Sequence, residues 1–159
     1  MKLRFILVGK AKEPYYKLAY QEYTTRISKY AKVKLDFVSE TQLKDKASQT
    51  EIVQALDEEA DRILSTIKRD DYVVLLDLHG KNISSEELAS LIDRECTRGF
   101  SSFVFIIGSS YGVSNKLRSS ANFKLSLSKM TFTHPMTLEI ILEQVYRAFK
   151  INNNETYHK

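Results

Sequence analysis

The chain has 159 residues, of which 43% are hydrophobic and 28% charged, and its formal net charge is +4. This length and composition exclude a disordered or fibrous chain and predict a single globular domain over residues 1–159. No apolar run reaches the roughly 18 residues that a membrane-spanning helix requires, and a lone cysteine, Cys96, excludes an internal disulfide. We therefore expect a cytoplasmic protein without a membrane anchor, and the mild positive charge favours a polyanionic partner.

The first predicted elements are two strands with a helix between them. The strands cover residues 2–8 and 33–38, and the helix opens at Pro14, a residue that is well tolerated in a first helical turn. Aromatic and apolar residues recur along this helix at steps of three and four, which places them on one stripe: Tyr16, Tyr20, Tyr23, Ile27 and Tyr30. Such a stripe could stack RNA bases, but packing on the sheet or on a partner subunit is the favoured interpretation.

The middle of the chain alternates helices with buried strands. A helix over residues 48–68 begins with the capping box of Ser48 and Glu51, and a later helix begins with the same pattern at Ser84 and Glu87. The segments "DYVVLLDL" and "SSFVFIIG" are continuous apolar runs, as in strands that are buried on both faces of a parallel sheet. This alternation predicts an α/β fold with a mostly parallel sheet and helices on both of its faces.

Three segments are candidate ligand-binding loops, because α/β proteins bind ligands beyond the carboxyl ends of their strands. They are "DLHGK" after Leu76, "GSSYG" from Gly108 to Gly112, and "LSLSKMTFTHP" from Leu125. Glycine allows a ligand to approach the backbone closely, so a side chain at Gly108 is expected to intrude where backbone meets ligand.

No common cofactor or metal motif is present. The first strand is followed by "VGKAKEP" instead of a G-x-G-x-x-G fingerprint, and no P-loop occurs, which disfavours common nicotinamide and ATP enzymes and methyltransferases of the Rossmann type. His79, His134 and His158 match no zinc-binding spacing, so no metal site is expected. The serines lack the G-x-S-x-G motif of a serine hydrolase.

The last predicted helix opens at His134-Pro135 and carries charges at regular spacing. Glu139, Glu143 and Arg147 recur every four residues on one face. Apolar contacts are expected from Met136, Ile140, Val145 and Phe149. A solvated stripe is the default interpretation, because an exposed Glu-to-Arg pair at this spacing contributes only about 0.2–0.5 kcal/mol.

Several motifs together resemble one known family. They are "VGK" at 8–10, "LDLHGK" at 76–81, "SSEELA" at 84–89, "FVFIIG" up to Gly112, "SLSKMTF" at 126–132, "EQVYRAFKI" at 143–151 and the terminal "YHK". Over essentially its full length the chain resembles the ribosomal RNA large-subunit methyltransferase H family of the SPOUT class. The resemblance implies a trefoil knot in the C-terminal half, a homodimer, and S-adenosylmethionine bound in the knot. It also implies methylation of the N3 atom of a pseudouridine in 23S ribosomal RNA of the assembled ribosome.

The resemblance further implies which residues form the site. The cofactor-binding positions map onto the three segments described above: Leu76, Gly108, Leu127, Ser128, Lys129, Met130, Thr131 and Phe132. The acceptor imide must lose a proton, so a base or a cation is needed, and the candidates are His134, Arg147, Tyr157 and His158. Two positions depart from the family pattern: Ser109 replaces a glycine and Leu138 replaces an arginine.

Two alternatives remain open from the residues alone. The first is a divergent SPOUT paralogue that binds RNA or the ribosome without this activity, or that methylates another RNA. The second is an α/β protein that binds a small nucleotide.

Overall fold

The chain alternates strands and helices from end to end in a computed structural model that describes residues 1–159. The strands are β1 (Lys2–Val8), β2 (Lys32–Val38), β3 (Asp71–Asn82), β4 (Ser102–Ile107) and β5 (Phe123–Ser126). The helices are α1 (Pro14–Ile27), α2 (Gln49–Leu64), α3 (Ser85–Thr97), α4 (Asn115–Ser120) and α5 (His134–Asn152). The predicted α/β class is confirmed, and both predicted capping boxes are present.

The five strands form one sheet in the order β2-β1-β4-β3-β5, and every pairing is parallel. The carboxyl ends of the strands therefore meet at a single edge. The pairing of β5 with β3 is irregular, because Leu125 lies opposite both Leu76 and Lys81, with a register shift between them. A side chain at Gly80 would lie 2.6 Å from the Lys124 carbonyl oxygen, so only glycine allows the two segments to pass this closely.

Helices cover both faces of the sheet, as predicted. Alternate residues of β1 point to opposite faces, with Leu3, Phe5 and Leu7 in the larger core and Ile6 and Val8 in the smaller one. The larger core lies against α1, α3 and α5, and the smaller core lies against α2 and α4. None of the helices is both long enough and apolar enough to span a bilayer.

The tyrosine stripe of α1 packs inside the chain. Tyr16 and Tyr20 are buried, and the Tyr20 hydroxyl donates to the Pro135 carbonyl oxygen at 2.8 Å. Tyr30 lies beyond the end of the helix but stacks on Phe149, with ring centroids 5.3 Å apart. The packing interpretation is therefore correct, and α5 is the element that covers the stripe.

Three boundaries differ from the sequence-based expectation. The strand β5 was not predicted, so Leu125 and its neighbour lie in a strand and the third loop begins only after Ser126. β3 extends to Asn82, which places "DLHGK" inside an irregular strand. The second helix ends at Leu64 instead of residue 68, because the backbone N–H groups of Thr66 and Ile67 bond to carbonyls only three residues back.

The buried face of α5 also differs from the prediction. Met136 is 41% exposed, whereas Leu138 is 1% exposed and lies in the larger core. Leu138, Leu142 and Val145 are spaced by four and three residues and form the face of α5 that packs in the core. Met136 lies outside this face. Leu138, the departure from the family arginine, is thus a core residue in this chain.

Candidate functional site

A cavity of about 710 Å³ lies beyond the carboxyl ends of β3, β4 and β5. It is bordered by all three segments that the sequence singled out. Of the eight predicted cofactor positions, seven line it: Leu76, Gly108, Leu127, Ser128, Met130, Thr131 and Phe132. The eighth, Lys129, lies in the same loop, but its side chain is exposed and does not contribute to the wall.

The loop from Gly108 to Gly112 closes on itself at the edge of the cavity. The Gly112 N–H donates to the Ser109 carbonyl oxygen at 2.9 Å, and Gly112 has a φ of +99°. A Cβ at Gly108 would lie 2.4 Å from the Gly112 carbonyl oxygen and 2.4 Å from Val113 Cγ1. The close approach that requires glycine is therefore made within the loop itself.

The side chain of Ser109 points away from the cavity. Its hydroxyl oxygen is buried without a hydrogen-bond partner, beside the carboxyl group of Glu59 on α2. Burial raises the pKa of Glu59, and the hydrogen bond from the Thr41 N–H only partly offsets this effect. The hydroxymethyl group thus fills a space between the loop and α2, and only the rest of the residue borders the cavity.

An ion pair between buried Asp77 and partly exposed Arg118 fixes the wall formed by β3. Arg118 Nε donates to Asp77 Oδ2 at 2.8 Å, and the backbone N–H of His79 donates to Asp77 Oδ1 at 3.2 Å. Burial raises the pKa of Asp77, but these hydrogen bonds outweigh burial and hold that pKa below its ordinary value. Both residues line the cavity, and sequence reasoning missed them although Asp77 lies within the "LDLHGK" motif.

His134 is the one predicted catalytic candidate that lines this cavity. Its Nε2 lies 3.1 Å from the point where a Cβ on Gly9 would be, and Glu40 Oε2 lies 3.7 Å from the same point. Gly9 has a φ of +102°, a backbone conformation that favours glycine. The glycine of "VGK" therefore leaves room for the imidazole at the end of β1.

The other three candidates form a separate group, here named the Arg147 cluster: Glu86, Glu143, Arg147, Tyr157 and His158. Arg147 Nη2 donates to Glu143 Oε1 at 2.5 Å, and the Tyr157 hydroxyl donates to the same oxygen at 3.0 Å. The Arg147 guanidinium lies 4.7 Å from the centre of the Tyr157 ring. Burial and the bond to Glu143 raise the pKa of Tyr157 to about 12.

The terminal residues complete the Arg147 cluster. His158 Nε2 lies 2.8 Å from Glu86 Oε1 on α3, and its Nδ1 lies 3.4 Å from Arg147 Nη1. The "YHK" tail is therefore held against its own chain by α3 and α5. No member of the cluster lines the large cavity, so the structure separates His134 from the three other candidates.

The remaining titratable side chains do not form a metal site. No group of three or more His, Cys, Asp or Glu side chains is arranged to hold an ion.

Comparison with known proteins gives a consistent result. The family described as "Predicted SPOUT methyltransferase" matches residues 1–158. Proteins named "Ribosomal RNA large subunit methyltransferase H" are 45% identical in Clostridium botulinum (strain Alaska E43 / Type E3), 45% in Clostridium novyi (strain NT) and 43% in Clostridioides difficile (strain 630). Each of these alignments spans 159 residues and covers 100% of both chains.

A solved structure supports the fold alone. A probable methylase family protein from Haemophilus influenzae Rd KW20 superimposes with a TM-score of 0.51 at 13% identity. The match covers 99% of this chain and 70% of that one.

Proposed function

This chain belongs to the SPOUT methyltransferase family, and from this membership we propose that it methylates the N3 atom of a pseudouridine in 23S ribosomal RNA, with S-adenosylmethionine as donor. The substrate would be the assembled ribosome in the cytoplasm. The names of the full-length relatives support ribosomal RNA as the acceptor.

The observation that carries the proposal is the large cavity and the identity of its wall. Its volume of about 710 Å³ is within the range of about 300–1,000 Å³ that is typical of small-molecule sites. Leu76, Leu127 and Phe132 provide apolar surface, and Ser128 and Thr131 provide hydroxyl groups. These residues suit a ligand with an apolar purine face and polar ribose and amino-acid parts.

When bound, the cofactor supplies an electrophilic methyl group, and the chain's own residues must position the acceptor and manage its proton. Positioning two reactants can contribute about 7–11 kcal/mol to a bimolecular step. His134 borders the cofactor cavity and can accept a proton there. The Arg147 cluster provides a guanidinium, held by Glu143, that can stabilise the anion left on the imide.

A homodimer could bring these two groups together, because the Arg147 cluster and the cavity are separate within one chain. Apolar side chains near the beginnings of α1 and α5 are exposed, among them Tyr15 at 61%, Leu18 at 67% and Met136 at 41%. α1 packs against α5, so both helix starts can contribute to one contact surface. Sedimentation should give twice the chain mass of 18.4 kDa, and a monomer at micromolar concentration would contradict the dimer.

The trefoil knot is also part of the proposal. Two features support the knot: Leu125 pairs with both Leu76 and Lys81, and β5 passes close to Gly80. A threaded chain requires such a tight crossing. The fold accommodates both departures from the family pattern, because the Ser109 hydroxyl is buried beside Glu59 of α2 and Leu138 packs in the core.

The function is tested by transfer of a labelled methyl group from S-adenosylmethionine to ribosomes that lack the modification. The parent protein should label the large-subunit RNA. Arg147→Ala and His158→Ala should slow transfer by about 10²–10⁴-fold, as expected for an acid–base or anion-stabilising group, with cofactor affinity unchanged. If the parent binds ribosomes but transfers no methyl group, the protein is an RNA-binding paralogue without this activity.

A further inference from the structure

A second, smaller cavity of about 330 Å³ adjoins the large one. Both cavities are bordered by the same four residues at the end of β5 and in the loop that follows it: Leu125, Ser126, Leu127 and Phe132. The other walls come from the beginning of α3 and from α5, where Ser85, Ile140 and Gln144 lie. A molecule in this space would contact the loop proposed to hold the cofactor without occupying the cofactor cavity.

Gln144 is the polar residue through which this cavity connects to the Arg147 cluster. Its Oε1 accepts from the Ser85 hydroxyl at 2.6 Å, and its Nε2 donates to Glu143 Oε2 at 2.8 Å. Glu143 in turn holds Arg147. A carboxamide has two N–H donors and two acceptor lone pairs, so one donor and one lone pair of Gln144 remain available to a ligand.

We propose that the second cavity receives the acceptor base, and that Gln144 donates a hydrogen bond to a carbonyl oxygen beside the methylated nitrogen. This inference rests on the proposed function. Transfer requires loss of the imide proton, for which His134 in the wall of the adjoining cavity is the proposed acceptor. The resulting negative charge lies on the two flanking carbonyl oxygens, and a fixed donor at either oxygen stabilises it.

The apolar walls fit the faces of such a ring. Leu88, Ile140 and Phe132 line the cavity beside the polar groups of Ser85 and Gln144. Enzymes that modify bases commonly extrude the target nucleotide into a fitted pocket, where apolar side chains contact its faces and hydrogen bonds read its edge. The cavity thus combines apolar contacts for the faces with a free donor for the edge.

Two variants test the assignment by different routes. Gln144→Met retains the length of the side chain and removes its donors, and we expect kcat for ribosome methylation to fall by about 10²–10³-fold, as for the loss of one oxyanion donor. Ile140→Phe fills the cavity from the same helix, and we expect a large rise in KM for ribosomes or a loss of transfer. S-adenosylmethionine affinity, measured by calorimetry, should be unchanged in both variants.

The control is Val53→Phe, which adds the same ring at an exposed position of α2, outside both cavities and away from the proposed dimer surface. It should methylate ribosomes at the parental rate. Full activity of both Gln144→Met and Ile140→Phe would overturn the assignment and leave the proposed function intact.

A binding measurement separates failure of the inference from failure of the proposed function. Saturation-transfer NMR with pseudouridine nucleoside, in the presence of S-adenosylhomocysteine, should detect binding to the parent protein and to Val53→Phe but not to Ile140→Phe. Equal binding to all three proteins would contradict the acceptor cavity, whatever the activity on ribosomes. An inactive parent that shows the expected binding pattern would overturn only the ribosomal substrate.

Discussion

Replacing Gly108 with alanine should weaken S-adenosylmethionine binding by roughly 5- to 150-fold while the fold persists. The added Cβ would lie 2.4 Å from the Gly112 carbonyl oxygen, and contacts below 3.0 Å are essentially never found for real Cβ atoms. Because that oxygen belongs to the backbone, a change of rotamer cannot relieve the overlap, and the loop must move. Overpacking of this kind costs about 1–3 kcal/mol, and each 1.4 kcal/mol of binding free energy corresponds to about tenfold in affinity.

The measurement is calorimetric titration of S-adenosylmethionine into the parent protein, Gly108→Ala and Gly99→Ala. Gly99 is a matched control, because it has a φ of +105° but no atom within 4 Å of its added Cβ, and it does not line the cavity. Gly99→Ala should lose about 1–2 kcal/mol of unfolding free energy through backbone strain and retain parental affinity. Parental affinity in Gly108→Ala would refute the role assigned to this loop.

Three further changes test the packing and electrostatics around the site. Burial raises the pKa of Glu59 in the folded chain, so the folded state binds this proton more tightly than the unfolded state does. The unfolding free energy of the parent should therefore fall as pH rises from the unfolded-state pKa of Glu59 through its folded-state pKa. Urea unfolding of Glu59→Gln should lack this dependence on pH. Arg118→Ala should destabilise the fold by up to about 3 kcal/mol, because it leaves the Asp77 carboxylate buried without its cation. The double variant that adds Asp77→Asn should recover part of this loss in the same urea assay. Leu138→Ala should cost about 2–5 kcal/mol in thermal or urea unfolding, and a loss below about 1 kcal/mol would mean that this position is not packed in the core.

Local signals in the sequence predicted most of the fold. Capping boxes and apolar runs located the beginnings of α2 and α3 and the buried strands, because these features depend on neighbouring residues only. β5 escaped detection, since four residues are too few for a periodic pattern and its position depends on a distant partner, β3. The knot proposal likewise depends on how segments pass each other in space, which residue spacing does not encode.

The candidate site was predicted unevenly for the same reason. The rule for parallel sheets located the cavity, and seven proposed cofactor positions line it. Two hydrogen bonds near the site join distant parts of the chain: Arg118 to Asp77, 41 positions apart, and Ser85 to Gln144, 59 positions apart. Local spacing in the sequence could not predict them. The contact between His158 and Glu86, 72 positions apart, was missed in the same way.

The most direct test of the proposed activity is the identity of the product. Ribosomes that lack the modification are incubated with the protein and S-adenosylmethionine, and the nucleosides of the digested 23S ribosomal RNA are analysed by mass spectrometry against synthetic standards. We predict N3-methylpseudouridine, formed in stoichiometric amount at a single position and absent when the protein is omitted. A methyl group on any other base or atom, or no methylated nucleoside at all, would contradict this prediction.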